Sequence, residues 1–336
     1  MYRLIFVCLL LLGSGAATAA DVCPATQQQQ FSADTATRIA AIACNEHQLW
    51  YRPFIDTNGR VASGTVWEGE ASRLGDGATE AWRRVATYWR ESGLLWQMSR
   101  FPGASDCGYA TGGGGYQTSS CRVFVIDNPW SAAFVSYVLK KADVPGFRAS
   151  ASHIDYVREA YLRPEESAYQ FLDPATARAG PGDLLCYVRV PARMYGYQGL
   201  KAAVVSGTTG LNMHCDIVVA ANPGSDGKVY TIGGNVQQGV TMRLLPVNRD
   251  GLFWGLSQRT IAEPSCSPDA AASCNFNRQD WSALLKLKSP AALARLPRTW
   301  DATPGAMLPA HSTACCVHCV VGANPPVPRC AVPRSP

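Results

Sequence analysis

Charge is scarce in this chain of 336 residues: Asp, Glu, Lys and Arg make up 16%, against roughly a quarter in ordinary globular domains. There is no run of like charge and no Lys/Arg-rich helix face, and the formal net charge of +5 is scattered. A nucleic-acid-binding surface built on a basic stripe is therefore excluded. Beyond the first residues, no continuous apolar run approaches the ~20 residues of a membrane-spanning helix, so no transmembrane segment is expected. Gly112 to Gly115 lack the Gly-Lys-Ser/Thr that a phosphate-binding loop requires. No internal repeat is present. Hydrophobic residues reach 47%, the reverse of a disordered composition, and the length allows one large domain or two ordinary ones.

What the chain does have is cysteine, 13 in all, too many for a reducing cytosol unless they hold metal. Met1-Tyr2-Arg3, an apolar run from Leu4 to Leu12 and Ala17-Thr18-Ala19 read as a secretory leader cleaved near Ala19 or Ala20. Its removal takes Cys8 away and leaves an even number of cysteines. Cys107 and Cys121 bracket the glycine run, and Cys266 and Cys274 could close a small loop. Cys315-Cys316-Val317-His318-Cys319 has metal-like spacing, with His311 or Cys330 as completing ligands, but an oxidising compartment favours disulfides. The expectation is a periplasmic or secreted protein with no metal site and no cofactor.

Apolar periodicity predicts helices over 34–50, 80–91, from Asn128 onward and over 152–161. Asn128 reads as the N-cap of the third and Pro129 as its first residue. From Gly182 the texture turns to strands at 183–190, 202–206, 215–220, 229–232 and 240–246, with a hairpin signal at Asn222-Pro223-Gly224-Ser225-Asp226-Gly227. Short helices are expected around Trp281 and Ala292. Helices first and antiparallel-type strands afterwards give an α+β order.

Three segments carry candidate chemistry. Ser131 follows Trp130 in the first turn of a helix, where free backbone N–H groups and the helix dipole favour developing negative charge. His214 opens the apolar strand His214-Cys215-Asp216-Ile217 and can take a proton from a hydroxyl at neutral pH. Asn235 follows Gly233-Gly234, glycines that would let the chain turn sharply, and could orient an imidazole on the neighbouring strand. Nucleophile, base and orienter on three successive elements form a coherent set. His153, at the start of the next helix, could approach the cleft and contact substrate, and Asp127 or Asp216 could serve as a nearby carboxylate. Strand alternation turns Cys215 away from His214, toward the core or a disulfide.

Trp130-Ser131-Ala132-Ala133-Phe134-Val135, Pro181-Gly182-Asp183-Leu184-Leu185, His214 through Val219 and Gly233-Gly234-Asn235 resemble the papain-like CHAP and NlpC-type superfamily. The nearest form is a bacterial branch known as a domain of unknown function with the Trp-Ser-Ala-Ala-Phe motif. The resemblance spans about a third of the chain, residues 125–245, with an insertion near 191–213. Its active relatives cut peptide or amide bonds of peptidoglycan with a cysteine where this chain has Ser131. The resemblance implies a papain-like α+β fold, with a leader at 1–20 and a domain over 21–262. That domain comprises helices at 33–95 and a motif core at 125–247, and a Cys/Pro-rich, disulfide-tied extension follows at 263–336.

The implied function is an exported cell-wall hydrolase with Ser131, His214 and Asn235 as catalytic residues and peptidoglycan or a cell-wall peptide as partner. Trp130, Tyr137 and His153 would touch substrate. The alternative is a degenerate module of the same fold that binds cell-wall glycopeptide without cutting it.

Overall fold

Helix α1 (Thr35–Leu49) begins where the Asp34 carboxylate accepts the Thr37 N–H at 2.8 Å, an N-cap bond of the usual kind. Its inward residues Ile39, Ile42 and Ala43 are fully buried. Helix α2 (Ala81–Glu91) places Trp82, Val85, Ala86 and Trp89 inward and Arg83 and Arg90 on its more open side, as its stripe predicts. The computed structural model describes residues 22–297, except 24–26, 63, 65, 110–114, 209, 262 and 265. The segment expected to be a secretory leader and the Cys315–Cys319 motif lie outside the described residues.

Among the described residues, seven helices pack with one eight-stranded sheet, a mixed α+β architecture. The strands are β1 (Phe54–Ile55), β2 (Val61–Ala62), β3 (Tyr169–Leu172), β4 (Leu184–Val188), β5 (Met213–Ala221), β6 (Lys228–Val236), β7 (Gly239–Pro246) and β8 (Asp280–Leu287). Their order is β2-β1-β7-β6-β5-β4-β8-β3. All pairs are antiparallel except β1 with β7. Helices α1 and α4 (Ser131–Lys141) pack on β5 and β6. Side chains of alternate parity, among them Leu185, Tyr187, Val218, Leu245 and Trp281, form a second cluster on the opposite face. No helix among the described residues is long and apolar enough to cross a membrane.

Several elements differ from the sequence expectation. Of residues 202–206, expected as a strand, 202–205 belong to helix α6 (Gly196–Val205) and Ser206 caps it; the helix buries Leu200, Ala203 and Val204 at helical spacing. A short apolar run does not by itself tell helix from strand. The segment around Trp281, expected as a short helix, is strand β8. It lies between β4 and β3 and is buried on both faces from Asp280 to Leu285, so it lacks the alternation that marks a half-exposed strand. The boundary expected at residue 263 thus precedes an internal strand of the sheet. Helix α4 starts at Ser131 with Trp130 as cap; Asn128 instead donates its amide to Phe124 O at 2.9 Å, at the end of helix α3 (Gly115–Asp127). The Asn222–Gly227 hairpin is present, with Asn222 left-handed (φ 50°) and its side chain accepting the Gly227 N–H at 2.7 Å.

Four disulfides tie the described chain: Cys23–Cys44, Cys107–Cys121, Cys186–Cys215 and Cys266–Cys274. They fit an oxidising, extracytoplasmic setting. Cys215 faces away from His214 and staples β5 to β4.

Gly233 and Gly234 lie inside β6 and serve close approach rather than a sharp turn. A Cβ on Gly234 would stand 2.4 Å from Phe134 Cβ and 2.8 Å from Trp130 Cζ3, so α4 sits directly on bare backbone there. Gly234→Ala is expected to destabilise the protein by about 1–3 kcal/mol through overpacking. Urea unfolding reads this as a lower midpoint, and an unchanged midpoint would contradict so close a seat for α4.

Candidate functional site

The β5–β6 ladder begins at Ile217↔Ile232; residues 213–216 of β5 pair only with β4, and Gly233, Gly234 and Val236 of β6 only with β7. The sheet is therefore split at this end, and the buried polar residues gather beside the split. Gly233 leaves the space they use: a Cβ there would lie 2.0 Å from Asp216 Oδ1 and 2.9 Å from His214 Nε2.

Two imidazoles stand next to one another. His153, the first residue of helix α5 (His153–Leu162), meets Ser131 Oγ through Nε2 at 2.8 Å. His214 Nε2 donates to Asp216 Oδ1 at 2.8 Å, and the two rings are 5.3 Å apart between centroids. Behind them Arg243 Nε donates to Asp216 Oδ2 at 3.1 Å. The arginine is held in turn by Phe276 O and by Asn277 Oδ1 at 3.2 Å. Both Nδ1 atoms, of His153 and of His214, are buried without a hydrogen-bond partner.

Electrostatics separates the roles. Burial, with the neighbouring His214, pushes His153 well below the usual histidine range, so its ring is neutral at pH 7. A neutral Nε2 accepts the Ser131 hydroxyl proton. Burial opposes ionisation of Asp216, but His214 and Arg243 outweigh it and hold the carboxyl at about 2. The ionised Asp216 also favours any positive charge formed on His153.

Helix α4 supplies the other half of the site. Its first intrahelical bond runs from Phe134 N to Trp130 O at 2.9 Å, so the amides of Ser131, Ala132 and Ala133 have no acceptor within the helix. Trp130 Nε1 donates to Glu68 Oε2 at 2.6 Å. With its amide turned to satisfy both neighbours, Asn235 donates to the same oxygen at 2.9 Å and accepts the Trp130 N–H at 3.2 Å. Burial raises the Glu68 carboxyl, against the Trp130 bond. The φ of 56° at Asn235, beside a bulge in β6, aims its side chain there.

Of the residues proposed from sequence, the structure brings Ser131 to His153 and places His214 behind, on Asp216. Asn235 holds the cap of α4 instead of orienting His214. Trp130 and Tyr137, expected to line a substrate groove, are buried. Trp130 stacks on Trp50 and Tyr88 at 5.9 and 5.5 Å, and Tyr137 joins a polar core cluster with Glu46, Arg84 and Lys141. Of the carboxylates considered, Asp216 is the one that reaches the imidazoles; its i, i+2 spacing from His214 on a strand is the signal that points to it. Glu68 and Arg243 carry no such signal, since each arrives from a segment distant in sequence. No cluster of three His, Cys, Asp or Glu side chains suited to a metal occurs among the described residues.

The low pKa of Asp216 has a consequence for stability. A carboxyl held below its ordinary value of 3.8 contributes stability that is complete above that value and lost as pH falls through the folded value. The window is therefore from about pH 4 to pH 2, with a contribution of about 2 kcal/mol. Asp216→Asn should lack this acid-linked component in urea titrations at pH 7 and pH 3. It should also cost about 3–5 kcal/mol at pH 7 by leaving Arg243 buried and unpaired. Equal pH dependence in the two proteins would contradict an ionised Asp216.

Comparison with known proteins matches residues 76–287, well over half of the chain, to one family. No curated protein and no solved structure matches. The matched segment runs from just before α2 to the end of β8 and contains Ser131, His153, His214 and Asp216. The chain belongs to the family described as "Uncharacterized protein conserved in bacteria (DUF2272)".

Proposed function

We propose that the protein is an exported, periplasmic or secreted, hydrolase of peptide or amide bonds in peptidoglycan. In this reading Ser131 is the nucleophile and His153 its base. The observation that carries the reading is the 2.8 Å contact between Ser131 Oγ and His153 Nε2 at the first residue of a helix. The substrate class follows from the resemblance of the Trp130–Val135, Gly182-Asp183, His214 and Gly233–Asn235 segments to papain-like cell-wall hydrolases, with serine in place of their cysteine.

In the proposed reaction Ser131 Oγ bonds to the carbonyl carbon as its proton passes to His153 Nε2. The oxyanion is met by the open amides of the first α4 turn and by the helix dipole. His153 then gives the proton to the departing amine as the C–N bond breaks, and water repeats the sequence to release the acid. Asp216, ionised between His214 and Arg243, steadies the imidazolium at His153 across the second ring. This differs from a Ser-His-Asp triad, in which the carboxylate holds the base itself.

One observation favours the second reading, a wall-binding module that does not cut: Ser131 is only 7% exposed and His153 3%. A nucleophile so enclosed needs an opening movement before a polymer reaches it.

Digestion of purified peptidoglycan separates the two. The wild-type protein is expected to release soluble fragments, and Ser131→Ala and His153→Ala to lose about a thousandfold or more in rate. Identical products from wild type and Ser131→Ala would remove Ser131 as nucleophile. Products appearing only with Ser131→Cys would establish the binding module. Because His153 is neutral to well below pH 6.5, the wild-type rate should not fall as pH drops from 7 to 6; a fall centred on 6.5 would assign the base to an unperturbed histidine.

A further inference from the structure

Among the cavities bounded by described residues, three with charged walls stand out, and two of these neutralise themselves. On the outer face of α5, Arg148 pairs with Glu159 and Glu166 and Arg158 with Asp155. Beside α1, Glu46 is held by Arg84 and by two tyrosine hydroxyls.

The third cavity, of about 380 Å³, lies between the end of β4 and the 259–279 segment, a wall closed by the Cys266–Cys274 disulfide. It is lined by Arg189, Arg259, Arg278 and a single acid, Glu263. Arg278 and Glu263 pair at 2.7 Å and cancel. Arg259 is fixed by the carbonyls of Val190, Pro191 and Arg193 at 2.6, 2.9 and 3.2 Å, contacts that orient its guanidinium without neutralising it. Arg189 is exposed, and its side chain makes no hydrogen bond or ion pair among the described residues. Two positive charges therefore face this cavity uncompensated, one rigid and one free to close on a ligand.

The position of the cavity relates it to the Ser131 site. Arg189 follows Tyr187 by two residues, on the same side of the strand direction, and the Tyr187 ring lies 5.1 Å from that of His214. Its backbone N–H bonds Asn212 O, beside the His214 end of β5. The charge of Arg189 is felt at His153, where it opposes protonation.

We infer that the cavity between Arg189 and Arg259 is a carboxylate-binding subsite that holds the free C-terminal carboxylate of a peptide. The guanidinium of Arg189 presents forked donors that match a carboxylate, and Arg259, whose Nη2 is spent on carbonyls, adds its fixed charge; the volume suits a residue-sized group. As a binding site it stands on its own; as a substrate anchor it rests on the hydrolase reading above.

The test uses the full-length Ser131→Ala protein, so that binding is read without turnover. Acetyl-Ala-Ala with a free carboxylate and the same peptide as its C-terminal amide, in L and D forms, are titrated by calorimetry. The free acid of at least one form is expected to bind saturably, with its amide weaker by about tenfold or more. Arg189→Ala should weaken the acid by about tenfold and leave the amide unchanged, as loss of a charged hydrogen-bond donor does. Arg189 is exposed, so its replacement leaves the fold intact, and an unchanged urea midpoint checks this. Equal affinity for acid and amide, no saturable binding of either, or acid binding unchanged in Arg189→Ala would overturn the subsite. None of these results bears on whether wild-type protein cuts peptidoglycan, so the two readings fail separately.

Discussion

A carboxylate fully enclosed by protein must be paired or neutral, and Asp216 is paired on both oxygens. His214 takes one and Arg243 the other, with Thr231 adding a longer contact at 3.4 Å. This constraint shapes its surroundings. Gly233 has no side chain because the His214–Asp216 bond occupies the space one would need. Arg243, buried in turn, is held by Phe276 O and Asn277, which anchors the segment leading into β8. The same charge favours an imidazolium at His153, so the sheet's buried electrostatics and the proposed chemistry share one source.

The second support is the seat of helix α4. Ser131 is useful only if the first helical turn is held still, and Trp130, Glu68 and Asn235 lock its cap. Gly234 brings the helix onto β6. On the far side of β5, Cys186–Cys215 fixes the strand that carries His214 while its sulfurs face away from the imidazole. In an oxidising compartment such a staple stabilises the strand pair, about 2–4 kcal/mol for a typical bridge, without placing a reactive thiol beside the site. The site is thus rigid on three sides and nearly closed, which suits a preorganised pair and sets access as its main demand.

Much of this was readable in the sequence where the signal is local. The N-terminal helices, strands β4 to β7, the Asn222 hairpin and the Cys107–Cys121 and Cys266–Cys274 bridges follow from periodicity, turn chemistry and spacing. Ser131 at a helix start and His214 on a strand were equally legible. What escaped depends on contacts between distant segments. The segment around Trp281 reads as a short helix because a strand buried on both faces has no alternation, and 202–206 reads as a strand because the run is short. His153 rather than His214 on Ser131, and Asn235 on the cap of α4, are consequences of how α5 and β6 meet the split sheet. Only the i, i+2 spacing of His214 and Asp216 foreshadowed the carboxylate.

The proposed chemistry depends on activation of Ser131 by His153. The most direct measurement is covalent labelling of the intact protein with a fluorophosphonate probe, read by peptide mass spectrometry. Phosphonylation is expected at Ser131, lost in a folded His153→Ala protein and retained when other buried serines such as Ser136 are replaced. Absence of label on folded wild-type protein, or labelling of Ser131 that survives His153→Ala at full rate, would contradict it.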